Sequence, residues 1–87
     1  MPKMVFTHKV EDVAKWMSFE KEREEIFAPF AKNLKSHIDI EGSNMVAMTM
    51  DMHGEKEFFA SHNADYHDSN MKRQGVIRPV TIFSAGE

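Results

Sequence analysis

Apolar and polar positions alternate along four runs of this chain and recur every three to four residues along two longer stretches. Alternation is typical of a strand with two different faces, and the longer period is typical of an amphipathic helix. The runs Ser36 to Glu41 and Asn44 to Met52 are separated only by Gly42 and Ser43, so they are predicted to pair as an antiparallel hairpin. The order β-α-β-β-α-β predicts an α+β fold, a split βαβ sandwich with both helices on one face of a four-stranded antiparallel sheet.

Each predicted strand has one face for the core, and the opposite face of the sheet is left bare. The first strand is predicted at Met4 to Val10 and the last at Pro79 to Phe83. Residues two apart share a face. The predicted core set is Met4, Phe6, His8, Val10, Ile38, Ile40, Val46, Met48, Met50, Met52, Val80 and Ile82.

The first helical stretch begins after Asp12, a suitable N-cap residue. Pro29 lacks an N–H group, which predicts a kink or a new turn. Asn33 suits a left-handed cap, with Leu34 folding back on the helix, and Gly75 is predicted to stop the second helix. Along this stretch Trp16, Phe19, Arg23, Ile26, Phe27 and Phe30 follow helical spacing, and the charged run Glu20 to Glu25 is predicted to face solvent.

Length and composition restrict the function classes. The 87 residues make one domain, 1–87, with a small core, so association through the bare sheet face is expected and a homodimer is predicted. Cysteine is absent, which excludes disulfides and thiolate chemistry. The net charge of −3, without a basic cluster, argues against nucleic acid. No apolar run is long enough for a signal peptide or a membrane span, so a soluble, cytoplasmic protein without a membrane partner is expected.

Two histidines interrupt apolar faces that are predicted to point between the sheet and the helices. Buried polar groups need partners, so His8 and His67 either meet a carbonyl or carboxylate or orient a polar ligand in a cavity. Trp16, Met48 and Met50 are the predicted apolar walls of that cavity. In the second interpretation, His8 or His67 acts as a general base or as a hydrogen-bond donor.

A second candidate cluster lies on the bare sheet face. It consists of Lys9, His37, Asp39, Thr49 and Asp51. Such groups could bind an anion or activate a proton donor, but they equally suit a dimer interface with salt bridges or a hydrated lumen. No metal site is predicted.

Four segments resemble the dimeric α/β barrel superfamily of ferredoxin-like domains. They are KVEDVAKW after the first strand, AKNLKSH before the second strand, EFFAS in the second helix and MKRQGV before the last strand. That superfamily includes small monooxygenase-like, stress-responsive and haem-degrading proteins. The resemblance implies that two sheets close a barrel in a homodimer, and that a ligand lies between the sheet and the helices of one protomer.

The resemblance leaves three hypotheses for function. The leading one is a protein that binds a small, partly apolar molecule and is monooxygenase-like without a tightly bound cofactor. The second is a non-catalytic dimerisation or stress-associated module, which a packed interior beside His8 would favour. The third is haem binding: His67 matches the haem-facing histidine of haem-degrading members, but the third strand lacks their tryptophan and the first lacks their asparagine.

Overall fold

The computed structural model describes residues 3–60 and 65–84, except for the side chains at positions 55, 59, 60 and 65–68. The elements are β1 (Lys3–Val10), α1 (Val13–Ser18), α2 (Glu20–Phe27), β2 (Ala31–Ile38), β3 (Met45–Met52), α3 (Glu55–Ala60), α4 (Asp65–Arg73) and β4 (Val76–Ser84). The sheet order is β2-β3-β1-β4, and every neighbouring pair is antiparallel. The predicted α+β, ferredoxin-like fold is confirmed.

The two central strands form the base of the core. Their predicted alternation is confirmed, because the even-numbered residues of both β1 and β3 are buried. The register places Phe6 opposite Met48 and His8 opposite Val46. Since directly paired residues share a face of the sheet, both strands present their buried sets to the helices.

The first helical stretch is divided at Phe19 and not only at Pro29. Asp12 caps α1 as predicted, since its carboxylate accepts a hydrogen bond from the Lys15 N–H at 3.1 Å. The Ser18 hydroxyl donates to the Lys15 carbonyl at 2.5 Å, a local bond that competes with helix continuation. Phe19 leaves helical geometry with φ −93° and ψ 7°, and α2 starts at Glu20.

The predicted position of β2 is wrong by five residues at its start. The strand begins at Ala31, and Asn33 lies within it. Asn33 does adopt the left-handed conformation, with φ 57°, but it does so at an irregularity in the pairing with β3 and does not cap a helix. The α2 helix contacts β2 as far along as Ser36, whose hydroxyl accepts a hydrogen bond from Arg23. Ile38 and Ile40, predicted to be buried, are 53% and 99% exposed.

Two glycines occupy positions where a side chain is disfavoured. A Cβ atom at Gly54 would lie 3.1 Å from the Phe30 Cα atom, so the turn after β3 can pass close to the end of α2. Gly75 has φ +76° at the end of α4, which confirms the predicted stop. β4 then starts at Val76, three residues earlier than predicted. Within the described parts of the chain, no helix is long and apolar enough to cross a membrane.

Candidate functional site

A cavity of about 320 Å³ lies between the sheet and the helices. Its apolar wall includes Phe6, Phe27, Met48, Phe58 and Val80, from three strands and two helices. Its polar wall includes His8, Arg23, Asn70, Gln74 and Arg78. A small apolar pocket with a few convergent polar groups is the usual form of a small-molecule site.

An irregularity in the sheet accompanies the cavity. In the pairing of β1 with β4, Thr7 lies opposite Thr81 and Lys9 lies opposite Ile77. His8 alone therefore faces the three residues 78–80, and all three line the cavity together with His8. Such bulges often occur next to functional sites because they redirect side chains.

His8 is buried, with 4% of its surface exposed. Its Nδ1 atom lies 3.0 Å from the Lys9 carbonyl, which can only accept, so Nδ1 carries the hydrogen. Burial lowers the pKa of His8, the bond to the Lys9 carbonyl raises it, and the charge of Arg23 lowers it further. The net direction is downward, so His8 is neutral at neutral pH, and its Nε2 lone pair is the part of the ring that can take a proton.

Trp16 joins His8 to Arg23. The Trp16 side chain is fully buried, and its ring meets the His8 ring edge-to-face with centroids 5.8 Å apart. The guanidinium carbon of Arg23 lies 3.8 Å from the centroid of the Trp16 ring, within cation–π range. The indole thus holds a base and a cation on the same cavity wall.

Arg23 is a buried cation, 3% exposed. One Nη1–H donates to the Trp16 carbonyl at 2.6 Å and another to Gln74 Oε1 at 3.1 Å, while Nη2 donates to the Ser36 hydroxyl at 3.0 Å. Burial lowers the pKa of Arg23 to about 10, against a smaller opposing effect of Glu20. The guanidinium therefore remains charged at neutral pH.

Two polar residues at the end of α4 are also buried: Asn70 lies on the helix and Gln74 lies just after it. Asn70 Oδ1 accepts a hydrogen bond from Arg73 at 2.5 Å, and Arg73 also pairs with both carboxylate oxygens of Glu22 at 2.6 and 2.8 Å. This network fixes the orientation of the Asn70 side-chain amide, because only its oxygen can accept a hydrogen bond from Arg73. Asn70 Nδ2 is then a donor.

Three buried donors on this wall lack an acceptor within the described parts of the chain. They are Trp16 Nε1, Arg23 Nε and Asn70 Nδ2. A buried polar atom without a partner costs about 1 to 3 kcal/mol. None of the three atoms has appreciable exposed surface, so a ligand in the cavity does not contact them in this structure.

The structure brings together three of the five residues predicted for this site. His8, Trp16 and Met48 line the cavity, whereas Met50 is fully buried in the core outside the lining. The side chain of His67 lies outside the described residues. Sequence reasoning did not assign Arg23, Asn70 and Gln74 to the site. For Arg23 a signal existed, since it is the one charged member of the apolar stripe of the first helical stretch.

The second predicted cluster is only partly assembled. His37 Nε2 lies 3.0 Å from the Thr49 hydroxyl oxygen on the open face of the sheet. Asp51 accepts from Asn33 at 2.9 Å and lies 3.4 Å from the Lys3 ammonium, and the Asn33 bond is the main cause of its lowered pKa. Asp39 is apart from them in the hairpin loop, where it bonds Ser43 and the Glu41 N–H. Lys9 is exposed and pairs in register with Met45.

No group of three or more metal-binding side chains occurs among the residues described for this chain.

Solved structures with the same fold cover almost the whole chain. A candidate antibiotic biosynthesis monooxygenase from Bordetella bronchiseptica matches with a TM-score of 0.74 and 13% identity, over 99% of this chain and 95% of that chain. One from Caulobacter crescentus matches with a TM-score of 0.69 and 10% identity, over 99% and 88%. A further antibiotic biosynthesis monooxygenase matches with a TM-score of 0.66 and 5% identity, over 100% and 98%. No protein-family model and no curated protein matches the chain.

These likenesses establish the fold. The solved structures are of candidate antibiotic biosynthesis monooxygenases that share the fold of this chain, so the ferredoxin-like fold predicted from the sequence is confirmed. At identities of 13% and below, an activity does not follow from the fold, because one fold supports many activities.

Proposed function

We propose that this protein binds a small, partly apolar molecule in the cavity beside His8 and oxygenates it without a bound cofactor. The observation that carries the proposal is the cavity itself, which places a buried neutral histidine on the same wall as a buried cation. A packed interior at this point would have favoured the non-catalytic module. The fold shared with candidate monooxygenases supports the same reaction class.

The residues divide the chemistry between them. His8 Nε2 takes a proton from an acidic carbon or hydroxyl of the substrate, as a general base within hydrogen-bond reach would. The apolar wall binds the body of the substrate.

The electrons for the reaction come from the substrate. A methylene group activated by a neighbouring carbonyl loses a proton to His8, and the resulting carbanion is oxidised by O₂. One oxygen atom becomes the carbonyl oxygen of the product and the other leaves as water, so R₂CH₂ and O₂ give R₂C=O and H₂O. O₂ is the only co-reactant that this balance requires.

Oxygen uptake in the presence of anthrone, which has such a methylene group, tests the proposal. We expect the protein to speed the conversion of anthrone to anthraquinone, with one O₂ consumed per product. His8→Leu should slow the reaction by roughly 10²- to 10⁴-fold, the usual contribution of a general base. The same substitution at the exposed His53 is the matched control and should leave the rate unchanged. Equal rates for His8→Leu and the unaltered protein would contradict the role of His8.

The open sheet face supports a homodimer as the working form. Apolar side chains are exposed there: Phe83 is 55%, Ile77 39% and Met45 38% exposed. Phe83 pairs in register with Val5, whose neighbour on the other side is Thr49. An exposed apolar patch of this kind marks an interaction site, and a second copy would cover it as in the barrels of the superfamily.

Sedimentation velocity tests the dimer. We expect a dimer for the unaltered protein and a monomer for Phe83→Lys, because a buried unpaired charge opposes association. Ile40→Lys introduces the same charge in the hairpin loop and should leave the dimer intact. A monomer at all concentrations for the unaltered protein would contradict the proposal.

A further inference from the structure

We infer that the ligand of this cavity is an organic anion, with an apolar body and a carboxylate group that pairs with Arg23. The inference rests on the proposed function, because it concerns the molecule that the same cavity binds. It identifies the chemical class of that molecule from the electrostatics of the cavity wall.

Arg23 is a buried charge whose hydrogen-bond partners are neutral. The Trp16 carbonyl, the Gln74 amide oxygen and the Ser36 hydroxyl accept its hydrogen bonds in the described part of the chain. Glu20 favours the charge electrostatically, but no hydrogen bond joins Glu20 to Arg23. A buried cation is costly unless an anion pairs with it, so a negatively charged ligand would stabilise Arg23 further.

The guanidinium has donors left for such a charge. A guanidinium carries five N–H groups, and the three hydrogen bonds above use three of them. The Nε–H is among the two that remain. A guanidinium pairs with a carboxylate more strongly than with a neutral acceptor, because both partners are charged.

The rest of the polar wall also lacks acceptors. Trp16 Nε1 and Asn70 Nδ2 are donors, and together with Arg23 Nε they are the buried side-chain atoms left unpaired in the described part of the chain. The described lining contains no aspartate or glutamate that could pair with Arg23. A neutral acceptor would leave the charge of Arg23 unpaired, whereas a carboxylate would pair with it.

Calorimetric titration with two ligands of matched shape tests the inference. The probes are 2-naphthoate and its neutral amide, 2-naphthamide, each titrated into the full-length protein at neutral pH and low salt. We expect 2-naphthoate to bind at least tenfold more tightly than 2-naphthamide. The two probes have the same apolar body, so the difference between their affinities isolates the contribution of the charge.

Variants on α2 assign the preference to one residue. Arg23→Gln should reduce the affinity for 2-naphthoate to that for 2-naphthamide. Lys21→Gln removes the same charge from an exposed position of the same helix, and it should keep at least a tenfold preference. If Arg23→Gln does not fold, the comparison of the two probes on the unaltered protein still decides the result.

The failures of the two proposals are distinguishable. Equal affinities for the two probes, or an undiminished preference in folded Arg23→Gln, would overturn the anion inference and leave ligand binding in the cavity intact. Binding of neither probe would overturn both, because the cavity would then not accept an aromatic molecule of suitable size.

Discussion

The layer between the sheet and the helices is filled at one end and hollow at the other. At the filled end, the rings of Phe6, Phe27, Phe30 and Phe58 are in contact, with centroids 5.5 to 5.8 Å apart. At the hollow end, which begins where this aromatic cluster forms a wall, polar groups surround a cavity of about 320 Å³.

The two ends have different consequences for stability. Edge-to-face and stacked rings add about 0.5 to 1.5 kcal/mol per pair beyond the burial of their area. Unpartnered donors and a buried cation at the hollow end oppose folding. This difference in stability is the basis on which we propose ligand binding at the hollow end.

Removing a ring from the filled end should have the largest effect on stability. Phe58 is 3% exposed and contacts three other phenylalanine rings. Phe58→Ala should lower the free energy of unfolding by about 3 to 5 kcal/mol in urea titration, the usual cost of such a cavity. Ile40→Ala, at a fully solvated position, is the control and should change it by less than about 0.5 kcal/mol. A similar loss for both variants would show that the aromatic cluster is not the stabilising region.

Adding one methylene group at a packed position and at a cavity position should distinguish packed from empty volume directly. Val46 is buried against the core outside the cavity, and Val46→Leu should cost about 1 to 3 kcal/mol through overpacking. Val80 lines the cavity, so in Val80→Leu the added group can enter empty volume and the cost should be close to zero. Thermal or urea unfolding measures both. Equal losses would indicate that the cavity is closed in solution.

We expect the smallest effect from the titration of His8, which makes the free energy of unfolding depend on pH. Because burial lowers the pKa of His8 below its ordinary 6.5, the unfolded chain takes up the proton more readily than the folded one. Stability should therefore be fully present above pH 6.5 and decline as the pH falls through 6.5 toward the lowered value. His8→Leu should remove this part of the decline, measured as the difference between the two unfolding curves at pH 7.5 and pH 5. The same slope for both proteins would contradict the burial of a neutral His8.

Much of the fold follows from the sequence, because the period of the apolar residues determines which face of a strand or helix they occupy. Alternation on β1 and β3 identified the buried side chains of both strands, including His8. The N-cap at Asp12 and the stop at Gly75 follow from local backbone chemistry, which the structure confirms. These features depend on residues near one another in the chain.

The burial of residues on β2 depends on contacts that are not local in the sequence. The predicted face of Ile38 was correct, since Ile38 pairs with the buried Val46 on the same side of the sheet. Its burial was wrong, because burial also depends on how far the helices extend over the edge strand. No residue close to Ile38 in the sequence carries that information.

The sequence by itself determined the order of the elements, the faces of the central strands and the presence of a histidine among apolar neighbours, because each is a property of periodicity or of local capping. Only the tertiary structure decided that a cavity lies beside His8 and that Arg23 enters it without a carboxylate among its hydrogen-bond partners in the described part of the chain. The physical reason is that voids and unpaired charges arise between elements distant in sequence, at the bulge of β4 against β1 and at the contact of α2 with the end of α4.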